Sequence, residues 1–467
     1  MSSKMNAMMN AQEAAAVLVG KLHGADVPFF SVSTDSRKIG DGELFVALRG
    51  ENFDGHGFVA AAKARGAAAA VVDAEGLAGL TEIGLPLIVV ADTRLALGTL
   101  AANWRARFSL PLVAVTGSNG KTTSKEMITS ILKAAFGGVA DSVLATQGNL
   151  NNDIGLPLTL LTLNAGHRAA VIEMGMNHPG EIAALTRIAR PTVALVTNAQ
   201  RAHLAGMGTL ETIATEKGSV FMGLAKQGIA VYNADDSWAE LWQAQSANRS
   251  ALRFSFEHDA EVTGRYQVRG LENHLTIRAQ GEEVEVALAL PGAHNARNAL
   301  GAATAALAAG VSLSAVRDGL NAFRGIKGRL QRCEGMQGAT VLDDTYNANP
   351  DSVRAGIDVL AATVGKKILV LGDMGEIGDM TGQFHDEVGG YAKSQGVDRL
   401  LAFGEASALA AHNFGVGGQH FKRIENLIET LSSEMTSDTT VLIKGSRFMR
   451  MERVVEAVCA PKTEGAR

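Results

Sequence analysis

The sequence predicts an α/β protein of three domains, and three observations predict it. Apolar, β-rich runs alternate with helical segments along most of the chain, the pattern of parallel sheets covered on both faces. A glycine-rich turn within residues 113–123 joins one such run to a helix. The 467 residues also exceed the length of about 250–300 at which a single core stops growing, so the chain divides and leaves clefts between its parts.

In chain order, residues 11–21 read as an Ala-rich helix, 31–37 and 42–48 as short strands, 58–65 as a helix and 67–72 as a strand, a small α/β unit. Ala91-Asp-Thr-Arg94 and a helix through Trp104 lead into the middle unit. There, strands at 112–116, 169–174, 192–198 and 228–233 alternate with helices at 121–135, 179–189 and 209–224. Alternating runs such as Glu283-Val-Glu-Val-Ala287 predict an antiparallel excursion over 251–289, followed by helices at 294–309 and 313–323. Gly325-Ile-Lys-Gly-Arg329 reads as a hinge. Beyond it, strands at 339–343, 367–371, 399–403 and 440–443 with helices at 350–362, 381–395 and 447–458 predict a second doubly wound sheet. The expected domains are 1–92, 93–326 and 327–467.

Composition narrows the function. A hydrophobic content of 46% against 19% charged residues describes a well-buried globular chain, and 52 glycines against 9 prolines suit tight strand-to-helix turns. A net charge of −5 argues against nucleic acid, whose phosphates demand clustered Lys and Arg. The two cysteines, Cys333 and Cys459, stand far apart in sequence and predict neither a metal pair nor a disulfide framework. Met1–Val19 lacks a basic segment followed by an apolar core, and no apolar run approaches membrane-spanning length. A soluble, cytoplasmic protein with no integral membrane segment is expected.

Val113-Ala-Val-Thr-Gly-Ser-Asn-Gly-Lys-Thr-Thr123 names a ligand class by itself. Glycines let backbone N–H groups converge on phosphate oxygens, and the following helix N-terminus adds partial positive charge. Lys121 is placed for β- and γ-phosphates, and the Thr122 hydroxyl for a bridging Mg²⁺. Val115 stands where the usual spacing has its first glycine, so Gly117 and Gly120 do the turning. The bland alternative is a glycine-rich turn with a surface lysine.

Other candidates keep two readings from local sequence. Glu173 ends a buried strand, where ligands gather in open α/β sheets, and serves either a metal or a loop cap. His203 is a metal or phosphate contact or a structural loop histidine, and Lys217 a solvated helical charge or an active-site group. Asn295 and Asn298 offer paired donors and acceptors to a purine edge, with N-capping the alternative. Asp343 and Asp344 precede Pro350 at a helix start and face a ribose or make a turn. Thr146-Gln-Gly-Asn-Leu-Asn-Asn-Asp153 suits turn geometry or a sugar-rich ligand, and Ser33-Thr-Asp-Ser-Arg37 a phosphate or solvent.

Taken in order, Val115–Thr123, Ile172-Glu-Met-Gly175, Asn198–His203, Glu216-Lys-Gly218, His294–Asn298, Gly328-Arg-Leu330 and Asp343–Pro350 resemble the Mur ligases of peptidoglycan synthesis. The likeness covers nearly the whole chain. Asp35-Ser-Arg37, Gly42–Leu48 and Asp54-Gly-His56 resemble the uridine-nucleotide domain of the members that add the third residue or the terminal dipeptide. Gln147–Asn152, Leu371–Gly378 and Lys444–Arg447 resemble the dipeptide-adding branch.

The resemblance implies an N-terminal uridine-nucleotide domain, a central P-loop ATPase domain and a Rossmann-like C-terminal domain. It implies ATP and Mg²⁺ as cofactors, with UDP-N-acetylmuramoyl-tripeptide and D-alanyl-D-alanine joined through an acyl phosphate by a monomer. Gly117, Ser118, Asn119, Gly120, Lys121, Thr122 and Thr123 would hold ATP phosphates, Asn295 and Asn298 adenine, Arg329 the phosphate or ribose side and Asp344 the ribose. Thr122, Glu173, His203 and a carbamylated Lys217 would hold Mg²⁺, and Lys121, Glu173, His203 and Lys217 would be catalytic. Ser33, Asp35, Ser36, Arg37, Asp54 and His56 would sit in the uridine-nucleotide domain, and Thr146, Asn149 and Asn152 would face the muramoyl peptide. Tyr346, Asn347 and Asn349 are candidates for the dipeptide. Two rivals share the phosphate loop. A folate-type or third-residue-adding ligase is one, although a folate ligase would not carry Asp35-Ser-Arg37; a nucleotide switch that hydrolyses ATP without joining anything is the other.

Overall fold

The computed structural model describes residues 7–80, 82–139 and 141–459. The first six residues of the expected N-terminal unit and the last eight of the third therefore lie outside the described residues.

Three sheets organise the chain. In the first, Leu87–Val90, Ala69–Asp73, Glu43–Val46 and Ser31–Ser33 run parallel, with Lys21–His23 antiparallel on the edge. The expected helix over 11–21 stops at Val17, because the chain turns at Gly20 into that edge strand. The expected strand 31–37 stops at Ser33, where the Ser33 hydroxyl accepts from Asp35 N and opens a turn.

The middle sheet has nine strands among the described residues, with Leu112–Thr116 third from one edge, between Ala169–Glu173 and Val193–Val196. Strand alternation sorts its side chains. Val113 and Val115 pack under Met127, Ile128 and Ile131 of the helix Lys121–Ala135, whereas Leu112 and Ala114 join the core on the opposite face. That opposite core also contains Leu97 and Leu100 of the helix Thr93–Arg105, and it runs on to Leu44 and Val46 of the first sheet. The excursion over 251–289 is antiparallel only in part. Ser250–Ser255 continues the parallel sheet, and antiparallel pairing begins between Val262–Arg269 and Glu272–Ala279.

The third sheet orders Thr340–Asp344, Thr439–Lys444, Lys366–Gly372, Arg399–Phe403 and Gly418–Phe421 in parallel, with Gln331–Glu334 antiparallel at one edge. The helices Ser407–Phe414 and Ile424–Glu434 and the edge strands were not in the sequence expectation. The helix expected over 447–458 is a short 3-10 turn, Arg447–Met449, followed by Glu452–Val458. The cysteine expectation is also corrected. The edge strand and the chain after Glu452–Val458 bring the Cα atoms of Cys333 and Cys459 to 6.5 Å, and the sulfurs are paired as a disulfide. Among the described residues, no helix is long and apolar enough to cross a membrane.

Candidate active site

The phosphate loop forms because two glycines take backbone conformations that side chains would block. Gly117 has φ +144° and Gly120 φ +80°, and a Cβ at these positions would strike Thr197 Oγ1 and Asn298 Oδ1 respectively. The loop amides divide into two sets. Ser118 N donates to Asn198 O at 3.0 Å and Asn119 N to Asn198 Oδ1 at 2.9 Å, which fixes the loop's shape. Among the described residues nothing accepts from the N–H groups of Gly120, Lys121 and Thr122, which open the following helix. An anion is therefore served by the helix start rather than by the whole loop. Lys121 folds back, its Nζ donating to Gly117 O at 2.8 Å and Ser118 O at 3.1 Å. Burial pulls its pKa below the usual lysine value, partly offset by the charge of Glu173.

Two cavities flank this loop, of about 460 and about 510 Å³, and Asn119, Gly120, Arg329 and Ser352 stand in the walls of both. The first holds Thr123, Asn295, Asn298 and Asp344. Asn295 is no N-cap: it lies inside the helix Ala293–Ala308, capped by Gly292, and its Nδ2 donates to Pro291 O at 2.8 Å. The two aspartates divide their readings. Asp343 makes the turn, accepting from Thr345 Oγ1 at 2.6 Å, whereas Asp344 Oδ2 takes Lys444 Nζ at 2.5 Å and faces the cavity.

The second cavity holds Ser118, Lys121, Thr122, Glu173, Asn152 and His203 from the middle unit and Tyr346, Asn347 and Asn349 from the third. Glu173 is 3% exposed; its Oε1 accepts from Asn151 Nδ2 at 2.9 Å, and its Oε2 is buried with no hydrogen-bond partner. Of the two readings for Lys217 the solvated charge fails, because the side chain is fully buried with an unpartnered Nζ. Burial first, and then the charge of Lys121, holds Lys217 well below the lysine range, which favours its uncharged form. Such orphaned polar atoms are costly without a ligand. His203 Nδ1 pairs with Glu376 Oε2 of the third unit at 2.8 Å, which leaves Nε2 as its remaining ring nitrogen. Among the described residues no three His, Cys, Asp or Glu side chains converge as a metal cluster.

Other expected residues lie elsewhere. Thr146 is sealed under the sheet, with Oγ1 accepting from Glu173 N at 2.9 Å, and Asn149 is exposed outside both cavities. Ser33, Asp35, Ser36 and Arg37 line neither cavity, and Arg37 pairs with Asp35 at 2.9 Å. His56 is buried and spends both ring nitrogens on the first unit, Nδ1 on Asp54 Oδ1 at 2.6 Å and Nε2 on Asp73 N at 3.0 Å. Glu51 and Arg94 are what the cavity meets from that side. Asn151, Asn198, Glu376 and Lys444, which no role had singled out, orient the site residues.

Comparison with known proteins finds three family domains in chain order. Residues 29–105 match the Mur ligase family catalytic domain, 115–306 the Mur ligase middle domain and 328–447 the Mur ligase glutamate ligase domain. The chain is 42% identical to the UDP-N-acetylmuramoyl-tripeptide–D-alanyl-D-alanine ligase of Escherichia coli, covering 95% of this chain and 96% of that one. It is 39% identical to the Haemophilus influenzae protein of the same name, with 94% and 96% covered. Among solved structures it is similar to MurF from Acinetobacter baumannii, at TM-score 0.87 and 33% identity over 96% of this chain and 97% of that one. MurF from Thermotoga maritima in complex with ADP follows at TM-score 0.78 and 27% identity, covering 91% and 96%.

Proposed function

The chain belongs to the Mur ligase family, and from that premise we propose how its site works. It is an ATP-dependent, ADP-forming ligase that joins D-alanyl-D-alanine to the terminal carboxylate of UDP-N-acetylmuramoyl-tripeptide in peptidoglycan synthesis. The observation that carries this reading is the shared wall: a nucleotide in the first cavity would present its terminal phosphate over Gly120 to a carboxylate in the second.

We assign adenine to Asn295 and Asn298, ribose to Asp344 and the phosphates to Lys121, Thr122 and the open helix amides. A carboxylate and an amine do not condense unaided, so the peptide carboxylate first takes the γ-phosphoryl group as an acyl phosphate. The dipeptide amine then attacks, and phosphate leaves. Lys121 and the helix amides balance the charge that develops on the transferring group. Tyr346, Asn347 and Asn349 edge the space the amine enters, and closure about Gly325–Gly328 keeps water from the acyl phosphate.

The residues fit Mg²⁺. Glu173 Oε2 and the Thr122 hydroxyl would hold it, with His203 nearby, and Lys217 would join as a carbamate, formed when its amine adds to CO₂ and gives up a proton to solvent. When bound, Mg²⁺ supplies further neutralisation of the phosphates. Ser33–Arg37 and Asp54–His56 belong to the unit that receives the uridine nucleotide, and Asn152 to the peptide side. We assign the protein to the cytoplasm as a monomer.

Incubation with ATP, Mg²⁺, UDP-N-acetylmuramoyl-tripeptide and D-alanyl-D-alanine should yield ADP, phosphate and the pentapeptide product by mass. ADP formation that ignores the dipeptide would overturn the ligase reading in favour of a nucleotide switch.

A further inference from the structure

Beside the catalytic groups runs a charged tie between the middle and third units. The loop after the strand Val193–Val196 is stitched on one side to the phosphate loop: Asn119 Nδ2 donates to Gln200 Oε1 at 2.7 Å, and Gln200 N to Ser118 Oγ at 2.9 Å. The next residue, Arg201, points the other way. Its backbone N donates to Asp351 Oδ2 at 2.8 Å, Nη2 to Asp351 Oδ1 at 2.6 Å and Nη1 to Glu387 Oε2 at 3.1 Å. Its guanidinium lies 5.2 Å from the ring centroid of Phe384. One arginine of the middle unit thus bridges two helices of the third, Pro350–Ala361 and Thr381–Ser394. Arg354 completes the cluster on Glu387 at 2.7 Å, giving two cations and two carboxylates.

Asp351 lies two residues beyond Asn349, whose amide touches Asn119, and it stands in the wall of the first cavity with Asp344 and Arg329. Arg201 therefore holds the first turn of Pro350–Ala361, whose Ser352 borders both cavities. We propose that Arg201 is a positioning residue for the ligation, the tie that keeps the third unit closed over the phosphate loop. The inference rests on the ligase reading given above. It is an electrostatic tie of half-buried groups, with Arg201 21%, Asp351 23% and Glu387 31% exposed, so salt weakens it without abolishing it. Without Arg201, Arg354 still pairs with Glu387 but Asp351 loses its cation, and the open arrangement gains.

When only part of the population is closed, apparent affinity falls by that fraction, while saturating substrate can still draw the enzyme closed. Arg201→Ala should therefore raise KM for ATP and for D-alanyl-D-alanine about tenfold and change kcat by no more than about twofold. Arg201→Lys should fall between, since an ammonium cannot fork across two carboxylates. Raising salt should lift the wild-type KM toward that of Arg201→Ala, whose own KM should move little. Glu387→Gln, a milder change on the third unit, should raise KM in the same direction and be non-additive with Arg201→Ala. A kcat loss at unchanged KM would assign Arg201 to local support of the phosphate loop and overturn the proposal, as would strict additivity of the two substitutions. Small-angle scattering without substrate should show a larger radius of gyration for Arg201→Ala than for wild type, and equal radii would also overturn it. Failure of the wild type to make the pentapeptide sinks the ligase reading; the scattering comparison judges the tie independently of catalysis.

Discussion

Asn349 Nδ2 donates to Asn119 Oδ1 at 2.8 Å, joining the phosphate loop to the third unit across 230 residues of sequence. The same side chain caps a helix, because Asn349 Oδ1 accepts from Ser352 N at 2.9 Å in a capping box. The two duties can be separated. Asp is as good an N-cap as Asn but cannot donate. Asn349→Asp should keep the melting temperature and raise KM for ATP, whereas Asn349→Ala should also cost about 1 kcal/mol of stability. Equal losses of stability in both variants would show that the cap is not what Asn349 supplies.

Lys121 is half-buried beside the charge of Glu173 and folded onto the loop carbonyls, poised to exchange two neutral acceptors for phosphate oxygens. Lys121→Ala should lower kcat by about 10²–10³-fold or more with the circular dichroism spectrum unchanged. A folded variant with wild-type kcat would remove Lys121 from the mechanism.

Lys217 supplies an unpartnered amine in a sealed position, where burial favours its uncharged form. Lys217→Ala should be inactive, and formate or acetate should restore part of the activity by standing in for the carbamate. Full activity without additive would exclude the modification. Wild-type enzyme kept in CO₂-free buffer should lose activity and regain it with bicarbonate.

His294 opens the helix beside the first cavity, and burial pushes its pKa down from 6.5 to about 4, with Lys444 and Arg297 adding to the effect. Between these values the unfolded chain binds a proton that the folded chain refuses. Its contribution to stability is therefore whole above the unfolded value and is lost as pH falls toward 4. Urea midpoints measured from about pH 7 to about pH 4.5 should decline more steeply for wild type than for His294→Asn. Parallel declines would mean that His294 accepts its proton in the folded state.

Much of this was legible in the chain, for physical reasons. A phosphate loop needs its glycines, lysine and hydroxyl contiguous, so Gly117–Thr123 announced itself, and the parallel strands of the middle sheet are unbroken apolar runs. The helix-strand-helix stretch after Phe403 was missed because Gly418–Phe421 is a four-residue edge strand with exposed residues and the helix before it is only two turns long. The Cys333–Cys459 pairing depends on an edge strand meeting the segment after the helix Glu452–Val458, which spacing does not encode. Lys217 left a usable signal: it follows Ile213 by four residues and Ala214 by three, so helical geometry sets it on the buried face. Asn151, Asn198 and Glu376 stood inside the motifs named above but left no sign of what they do, because their partners come from other strands and another sheet.

Because Asn119, Gly120, Arg329 and Ser352 border both cavities, a single inhibitor can span from the purine side to the peptide side on a short tether. Linking two weak fragments makes the second contact intramolecular, at effective concentrations of about millimolar for short flexible linkers. Neither half then has to bind tightly alone. Selectivity over unrelated ATP-using enzymes would come from the fragment on the far side of that partition.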